Sequence, residues 1–235
     1  MYHSITFGEK NTWDDWKLIP TSRPLFSSPS AKMKLIEIPG KNGSLDISTT
    51  LTGRPIYNMR SGSFEFIVSD QSRSWLSIYE DILDYLHGKT LRAILEDDPD
   101  YFYEGLFAVN QWSSNQTFST ITINYNVGPY KKHLVSSSDD WLWDPFDFEN
   151  GYIMYYVDMV VDGEASLTLL IPGGPQKSVP KITTSAAMSV AYKTKSYQLV
   201  KGLNYVPEMI LDEGMNILIF SGSGIVTVDY RGGSL

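Results

Sequence analysis

WLSIYEDILDYLHGKTLRAILEDDPDYFYEGLFAVNQW, residues 75–112, decides the fold. Trp75, Ile78, Tyr79, Ile82, Leu83 and Leu86 recur at the i, i+3, i+4, i+7, i+8, i+11 spacing of one helical face, which predicts a helix over residues 74–87. Asp81 and Asp84 fall off that face, as solvated positions do. Ser72 or Ser74 can accept a first-turn N–H, and Gly88 stands where a left-handed residue ends a helix. His87 falls in the last turn, where a cation complements the helix dipole. Leu91, Ala93 and Leu95 then alternate with Arg92, Ile94 and Glu96 along a strand with one apolar face. Asp97-Asp98-Pro99-Asp100 is the expected turn, because Pro fixes φ and Asp side chains accept from nearby backbone N–H groups. Tyr101, Tyr103, Leu106, Phe107 and Val109 mark the return strand, so one helix laid on a β-sheet organises the N-terminal half.

Upstream, a short strand (Ser4 to Phe7) is followed by a turn and by Trp13, Trp16, Leu18 and Ile19. Two Trp residues three apart can stack bases or sugars, but no basic or sugar-binding partner accompanies them, so anchoring to the sheet is preferred. PTSRPLFSSPSA, residues 20–31, excludes regular structure. KMKLIEI, residues 32–38, reads as a strand using both faces, and PGKNG at 39–43 turns it back toward breaks at Gly53 and Pro55. A long two-stranded excursion with little core of its own is either an extended hairpin that packs on another subunit or a plain surface hairpin. Phe64, Phe66 and Val68 share one face of the next strand, and Phe118, Ile121, Ile123 and Tyr125 mark another.

GPYKKHLVSSSDDWLWDPFDF, residues 128–148, has the polarity of a junction, and residues 133–150 are the expected linker. The cluster Trp141, Leu142, Trp143, Phe146 and Phe148 reads as an inter-domain seal rather than an exposed contact patch. Beyond it, eight short strands are expected at 152–161, 165–171, 180–184, 187–193, 198–203, 205–211, 215–220 and 225–230. Turn signals such as Asp162-Gly163 and Glu213-Gly214 separate them, a pattern of antiparallel sandwiches or jelly rolls. The expected organisation is thus residues 1–132, a linker, and residues 151–235. The fold class is mainly β, with an α+β N-terminal domain.

Composition narrows the function. A 42% apolar, 20% charged chain of 235 residues holds one large or two ordinary domains. Cysteine is absent, which removes disulfides, thiolate metal sites and cysteine nucleophiles together. The N-terminal residues have neither the basic region nor the apolar core of a secretory signal. The most apolar run, YIMYYVDMVV, is ten residues interrupted by Asp158, too short for a membrane span. Residues 1–132 carry 13 basic against 15 acidic side chains and residues 133–235 carry 6 against 12, so neither half has the basic stripe of a nucleic-acid reader.

No catalytic, cofactor or metal site is expected. Glu96, Asp97, Asp98, Asp100 and Glu104 form the densest acidic cluster, but Pro99 interrupts it and no central Gly sits where a calcium loop needs one. Asp139, Asp140, Asp144 and Asp147 also lack ligand spacing. His3, His87 and His133 are isolated, without the i, i+4 partner of a zinc site. There is no G-x-S-x-G elbow, G-x-G-x-x-G or P-loop, and Gly222-Ser223-Gly224 reads as a flexible turn. Asn115-Gln116-Thr117 is a formal glycosylation sequon.

YLHGKTLRAILEDDPDYFYEGLFAVNQW (85–112) resembles the middle of the N-terminal domain of the distal tail protein (Dit) family of long-tailed phages. ITFGEKNTWDDWKLIPTSRP (5–24) and IPGKNGSLDISTTLTGRPIYNMRSGSFEFIV (38–68) fit the same family in the same order, so the resemblance covers most of residues 5–130. It implies a structural virion protein of the tail tip or baseplate, made in a bacterial cytoplasm. In that family the N-terminal domain builds a hexameric ring that DNA passes through, and a hairpin belt clasps the neighbouring protomer. A galectin-like C-terminal sandwich projects outward. The implied partners are copies of the chain, singly or in stacked rings, the major tail protein, and tail-tip, tail-associated or receptor-binding proteins. The alternative is a carbohydrate-binding adhesion module, motivated by Trp141, Trp143, Tyr152, Tyr155 and Tyr156.

Overall fold

The structure, a computed structural model, describes residues 2–50, 52–70, 72–114, 119–134, 136–137, 146–147, 152–153, 155–163, 166–173 and 176–235. The chain divides into two compact units, Met1–Lys131 with Leu235, and Lys132–Ser234. Strands dominate both, and α1 (Trp75–Leu86) is the one α-helix among the described residues.

In the first unit the strands are β1 (Ile5–Phe7), β2 (Lys10–Asn11), β3 (Leu18–Pro20), β4 (Leu35–Glu37), β5 (Ser44–Asp46), β6 (Arg60–Val68), β7 (Lys89–Leu95), β8 (Asp98–Ser114) and β9 (Ser119–Val127), with α1 (Trp75–Leu86) between β6 and β7. Seven of them form an antiparallel sheet in the order β2-β1-β7-β8-β9-β6-β3. The helix is the crossover from β6 past β9 and β8 to β7. Strand β9 alternates buried and part-exposed side chains along most of its length, so Ile121, Ile123, Tyr125 and Val127 face the core.

Helix α1 begins where Ser74 stands in extended conformation and its hydroxyl accepts from Ser77 N–H. It ends at His87, an extended cap residue outside the last turn, followed by Gly88 at φ +72°. The expectation that His87 lies in the last turn is corrected: the final helical turn holds no basic residue. Ile78, Ile82 and Leu86 are fully buried against the sheet, which contributes about 1.5–3 kcal/mol each relative to exposure. Trp75, expected on the buried face, is half exposed, because the first turn overhangs the core; its ring stacks on Trp112, with centroids 5.1 Å apart.

The β7–β8 turn is Glu96-Asp97, two residues earlier than the acidic run suggests, because Asp98, Pro99 and Asp100 belong to the strand. The side chains explain the shift. Ser4 N–H donates to Glu96 (2.8 Å), while Asp97 bonds His3 and Arg23 and Asp98 bonds Lys131 (2.7 Å). The cluster thus ties the turn to neighbouring elements rather than standing free in solvent. Trp16 is buried and packs edge-on to Tyr85, and Trp13 stacks on Tyr2, so both anchor the N-terminal segment. Residues 20–31 are irregular after Pro20, yet Phe26 enters the core against Phe64, Tyr103 and Tyr125.

Short strands β10 (Lys131–His133), β11 (Phe146–Asp147) and β12 (Tyr152–Ile153) follow, the last two paired antiparallel. The body of the second unit is β13 (Met159–Val161), β14 (Leu167–Gly173), β15 (Lys181–Thr184), β16 (Met188–Tyr192), β17 (Lys195–Leu199), β18 (Gly202–Tyr205), β19 (Gly214–Gly222) and β20 (Gly224–Asp229); β21 (Gly233–Ser234) closes the chain. They form two four-stranded antiparallel sheets, β13-β20-β15-β18 and β14-β19-β16-β17. Ile171, Val190, Leu218 and Phe220 of one sheet share a buried cluster with Val161, Ile182, Val226 and Val228 of the other, as in a sandwich.

Three strand boundaries differ from expectation. The run 198–203 is broken after Leu199 into a turn with Gly202 at φ +104°. Residues 206–210 form a loop, because Pro207 has no N–H for a ladder and Met209 N–H donates to Val206 O. Residues 155–158 interrupt the run 152–161, with Asp158 left-handed at φ +51°. Within the expected linker, Ser137 is held in the second unit: its hydroxyl lies 2.8 Å from both Val228 O and Tyr230 N.

Candidate assembly surface

The least ordinary part of the first unit is the excursion between β3 and β6. At its root Ala31 bridges Tyr57, Asn58 N–H donates to Ser30 O (2.8 Å) and Lys32 N–H donates to Ile56 O (2.7 Å). Farther out, Leu35 pairs with Asp46, Ile36 with Leu45 and Glu37 with Ser44. Pro39 to Gly43 turn the chain, with Gly40 and Gly43 both left-handed. This is a hairpin arm, and every residue from 31 to 46 is exposed. None of its side chains belongs to the buried core of the unit.

An exposed arm of polar residues alone needs no explanation, but between its charged residues this one carries large apolar side chains. Met33 (74% exposed), Leu35, Ile36, Ile38 and Leu45 all project from it. Two paired three-residue strands form about four ladder bonds at most and bury almost nothing. Side chains of this size are stabilised when something covers them.

Beside the root lies a groove of about 850 Å³ between residues 23–29, Leu95–Asp98 and Tyr103. Leu25, Phe26, Pro29, Tyr57 and Leu95 supply its apolar wall, and Arg23, Arg60 and Lys131 its cations. Arg23 Nε lies 2.7 Å from Asp97, and Lys131 Nζ lies 2.7 Å from Asp98. Together Arg23, first, and His3 hold the Asp97 carboxyl below the usual carboxylate range. Arg60 differs. It donates from Nε to Pro129 O (2.9 Å) and from Nη1 to Ser27 O (3.0 Å), with its guanidinium over the Tyr103 ring, and it has no carboxylate partner among the described residues. Burial raises the Tyr103 phenol above its ordinary value.

The second unit carries apolar outer faces. Leu170, Met215, Ile217 and Ile219 are exposed on one sheet; Val160, Ile225, Leu203 and Tyr205 on the other. For the carbohydrate reading, Trp141 and Trp143 lie outside the described residues, as does the aromatic seal except for Phe146, and only the backbone of Tyr152 is described. Tyr156 is core: buried, with its hydroxyl donating to Leu170 O. Tyr155 is half-buried. Of the other residues screened for chemistry, Asn115 to Thr117 and the acidic group at 139–144 lie outside the described residues. His133 sits in β10, and Ser223 forms the β19–β20 turn between two positive-φ glycines. No group of three or more His, Asp or Glu side chains among the described residues could hold a metal ion. No described helix is long and apolar enough to cross a membrane.

Sequence reasoning found the arm from its turn glycines and thin core. It missed Arg60 and Phe26, single residues whose partners are brought together only by the sheet.

No family model and no curated protein matches the chain. Among solved structures, the chain is similar over its whole length, and over the whole of the other chain, to the Dit protein of phage SPP1, described as a paradigm of the hub adsorption apparatus in phages that infect Gram-positive bacteria. The TM-score is 0.58 and the sequence identity 12%. The resemblance to the distal tail family read from residues 5–130 therefore extends, as a fold, over both units.

Proposed function

We propose that this chain is a structural component of a phage tail, a distal tail protein whose copies form a hexameric ring between the tail tube and the tail tip or baseplate. The observation that carries the reading is the exposed apolar arm, on a chain whose full length shares the fold of a phage tail hub protein. The arm is the clasp that one copy lays on the next. Its apolar side chains exchange water for protein in the ring, at about 25 cal/mol per Å² buried. Copies bound in this one-directional way close into a ring or grow into a filament. The open centre passes DNA, and a net charge of −8 repels the duplex rather than gripping it. The faces of the ring receive the major tail protein on one side and tail-tip, tail-associated or receptor-binding proteins on the other. The second unit serves as a galectin-like docking point.

Negative-stain imaging of the purified chain tests this: sixfold annuli support the ring, and compact single-chain particles in every fraction overturn it.

A further inference from the structure

The turn at the end of the arm, Pro39-Gly40-Lys41-Asn42-Gly43, places an asparagine directly before a glycine. Asn42 is the one asparagine among the described residues so followed; the other Asn-Gly pair, 150–151, lies outside them. An asparagine amide carbon and the backbone nitrogen of the next residue can close a five-membered ring. The nitrogen must carry no hydrogen bond, the side chain must not be held elsewhere, and the next residue must not crowd the approach with a Cβ. Asn42 and Gly43 meet every condition. Both are exposed, no hydrogen bond holds the Gly43 N–H or the Asn42 amide among the described residues, and the space about Gly43, at φ +76°, is open. The other described asparagines do not. Asn204 and Asn216 each donate to backbone carbonyls of a tight turn, Asn58 donates to Ser30 Oγ (3.0 Å), and Asn11 donates to Ser4 and Thr6. Asn110, Asn124 and Asn126 lie in β8 and β9.

We propose that Asn42 is a site of spontaneous self-modification. Gly43 N, its proton lost to base, attacks Asn42 Cγ; the C–N bond of the side-chain amide breaks and ammonia leaves. Water then opens the succinimide at either carbonyl, giving aspartate or isoaspartate. Ammonia goes out and water comes in, so the step is redox-neutral and turns a neutral amide into a carboxylate. Residues 31–57 carry Lys32, Lys34, Lys41 and Arg54 against Glu37 and Asp46, so the new charge halves the net positive charge of the arm. In the isoaspartate product the backbone also gains a methylene inside the turn that sets Glu37 opposite Ser44. Resting on the reading of the arm as the clasp between copies, the conversion is a clock: a chain left unassembled weakens the arm that joins it to others.

The freshly purified intact chain is incubated in mildly alkaline buffer, and aliquots are cleaved with a glutamate-specific protease, which releases residues 38–65 as one peptide for mass spectrometry. A gain of about 1 Da at Asn42 is expected, roughly tenfold or more faster than at any other described asparagine and faster as pH rises. Gly43→Ala should slow it roughly tenfold, because a Cβ crowds the attacking nitrogen, while Gly40→Ala, a similar strain in the same turn, should leave the rate within about twofold. Light scattering compares the aged chain with the fresh one, and the aged sample should associate about threefold more weakly or less. An Asn42 that stays intact, or a rate indifferent to Gly43→Ala, overturns the site. Conversion with undiminished association overturns the clock and supports the site. A single-chain mass in the fresh sample overturns the clasp and the clock together, while the mass gain at Asn42 still decides the site.

Discussion

Asn204 and Asn216 occupy equivalent places in the two sheets of the second unit. Each follows a left-handed glycine by two residues, Gly202 at φ +104° and Gly214 at φ +88°. Each accepts from the backbone N–H four residues back, of Val200 and Asp212 respectively, at 2.9 Å. The amide of Asn204 points at Val200 O, Gly202 O and Ile182 O, and that of Asn216 at Asp212 O, Gly214 O and Ile171 O. One side chain thus satisfies the backbone of a tight turn and sews it to the neighbouring strand, in both sheets where irregular backbone would otherwise be buried unpaired.

Asn216→Ala should be the more damaging change of the two. Its Oδ1 also lies 2.7 Å from Tyr192 Oη, a contact Asn204 lacks, so truncation costs that phenol one of its two acceptors, leaving Ile210 O, as well as unpairing the turn. A loss of about 2–4 kcal/mol is expected for Asn216→Ala and about 1–3 for Asn204→Ala, from the cost of unsatisfied buried groups. Denaturant melts followed by tryptophan fluorescence and circular dichroism measure both.

The helix offers a contrast between faces. Ile82 is fully buried, so Ile82→Ala should cost about 2–5 kcal/mol. Leu76, half exposed six residues earlier, should cost under about 1 kcal/mol when truncated the same way. Equal losses in denaturant melts would contradict this packing of the helix on the sheet.

Asp70 gives a pH dependence with a definite sign. Ser72, first through its hydroxyl and then its N–H, and then Arg73 bond the carboxylate and lower its pKa to about 2. A depressed folded-state pKa contributes stability that is present above the unfolded value, near 3.9, and is lost as pH falls through about 2. Asp70→Asn should therefore lower Tm at neutral pH, with the gap to the parent narrowing below about pH 4 and closing near pH 2.

Ile36→Asp on the arm should leave the unfolding free energy within about 0.5 kcal/mol of the parent, since the side chain is exposed and outside the buried core of its unit. The same change should abolish self-association by sedimentation velocity. Destabilisation without loss of association would show that the arm serves the fold of its own copy.

Much of this fold was legible because its elements are locally consistent. The spacing of Ile78, Ile82 and Leu86 and the alternation of Ile121, Ile123 and Tyr125 name their buried faces without tertiary information. The eight strands of the sandwich were countable from their turns, although boundaries slipped at Val200 and Pro207, where a turn is fixed by a distant asparagine or a missing N–H. The acidic turn was misplaced because its charges answer to His3, Arg23 and Lys131, over ninety residues away in the case of His3. The arm was visible as an excursion. Its groove was not, because Arg60, Leu25 and Asp97 meet only once β6 and β7 share a sheet.

The central claim is that the arm holds copies of this chain together. The root hydrogen bond between Lys32 and Ile56 brings the strands close enough for a two-residue turn to replace residues 33–55 while leaving the core intact. Light scattering on a sizing column, for the intact and the arm-less chain side by side, is the direct measurement. The expected result is six times the 26.5 kDa chain mass for the intact protein and a single chain mass for the arm-less one. An intact chain that stays at 26.5 kDa at every concentration reached, or an arm-less chain that assembles as the parent does, would contradict it.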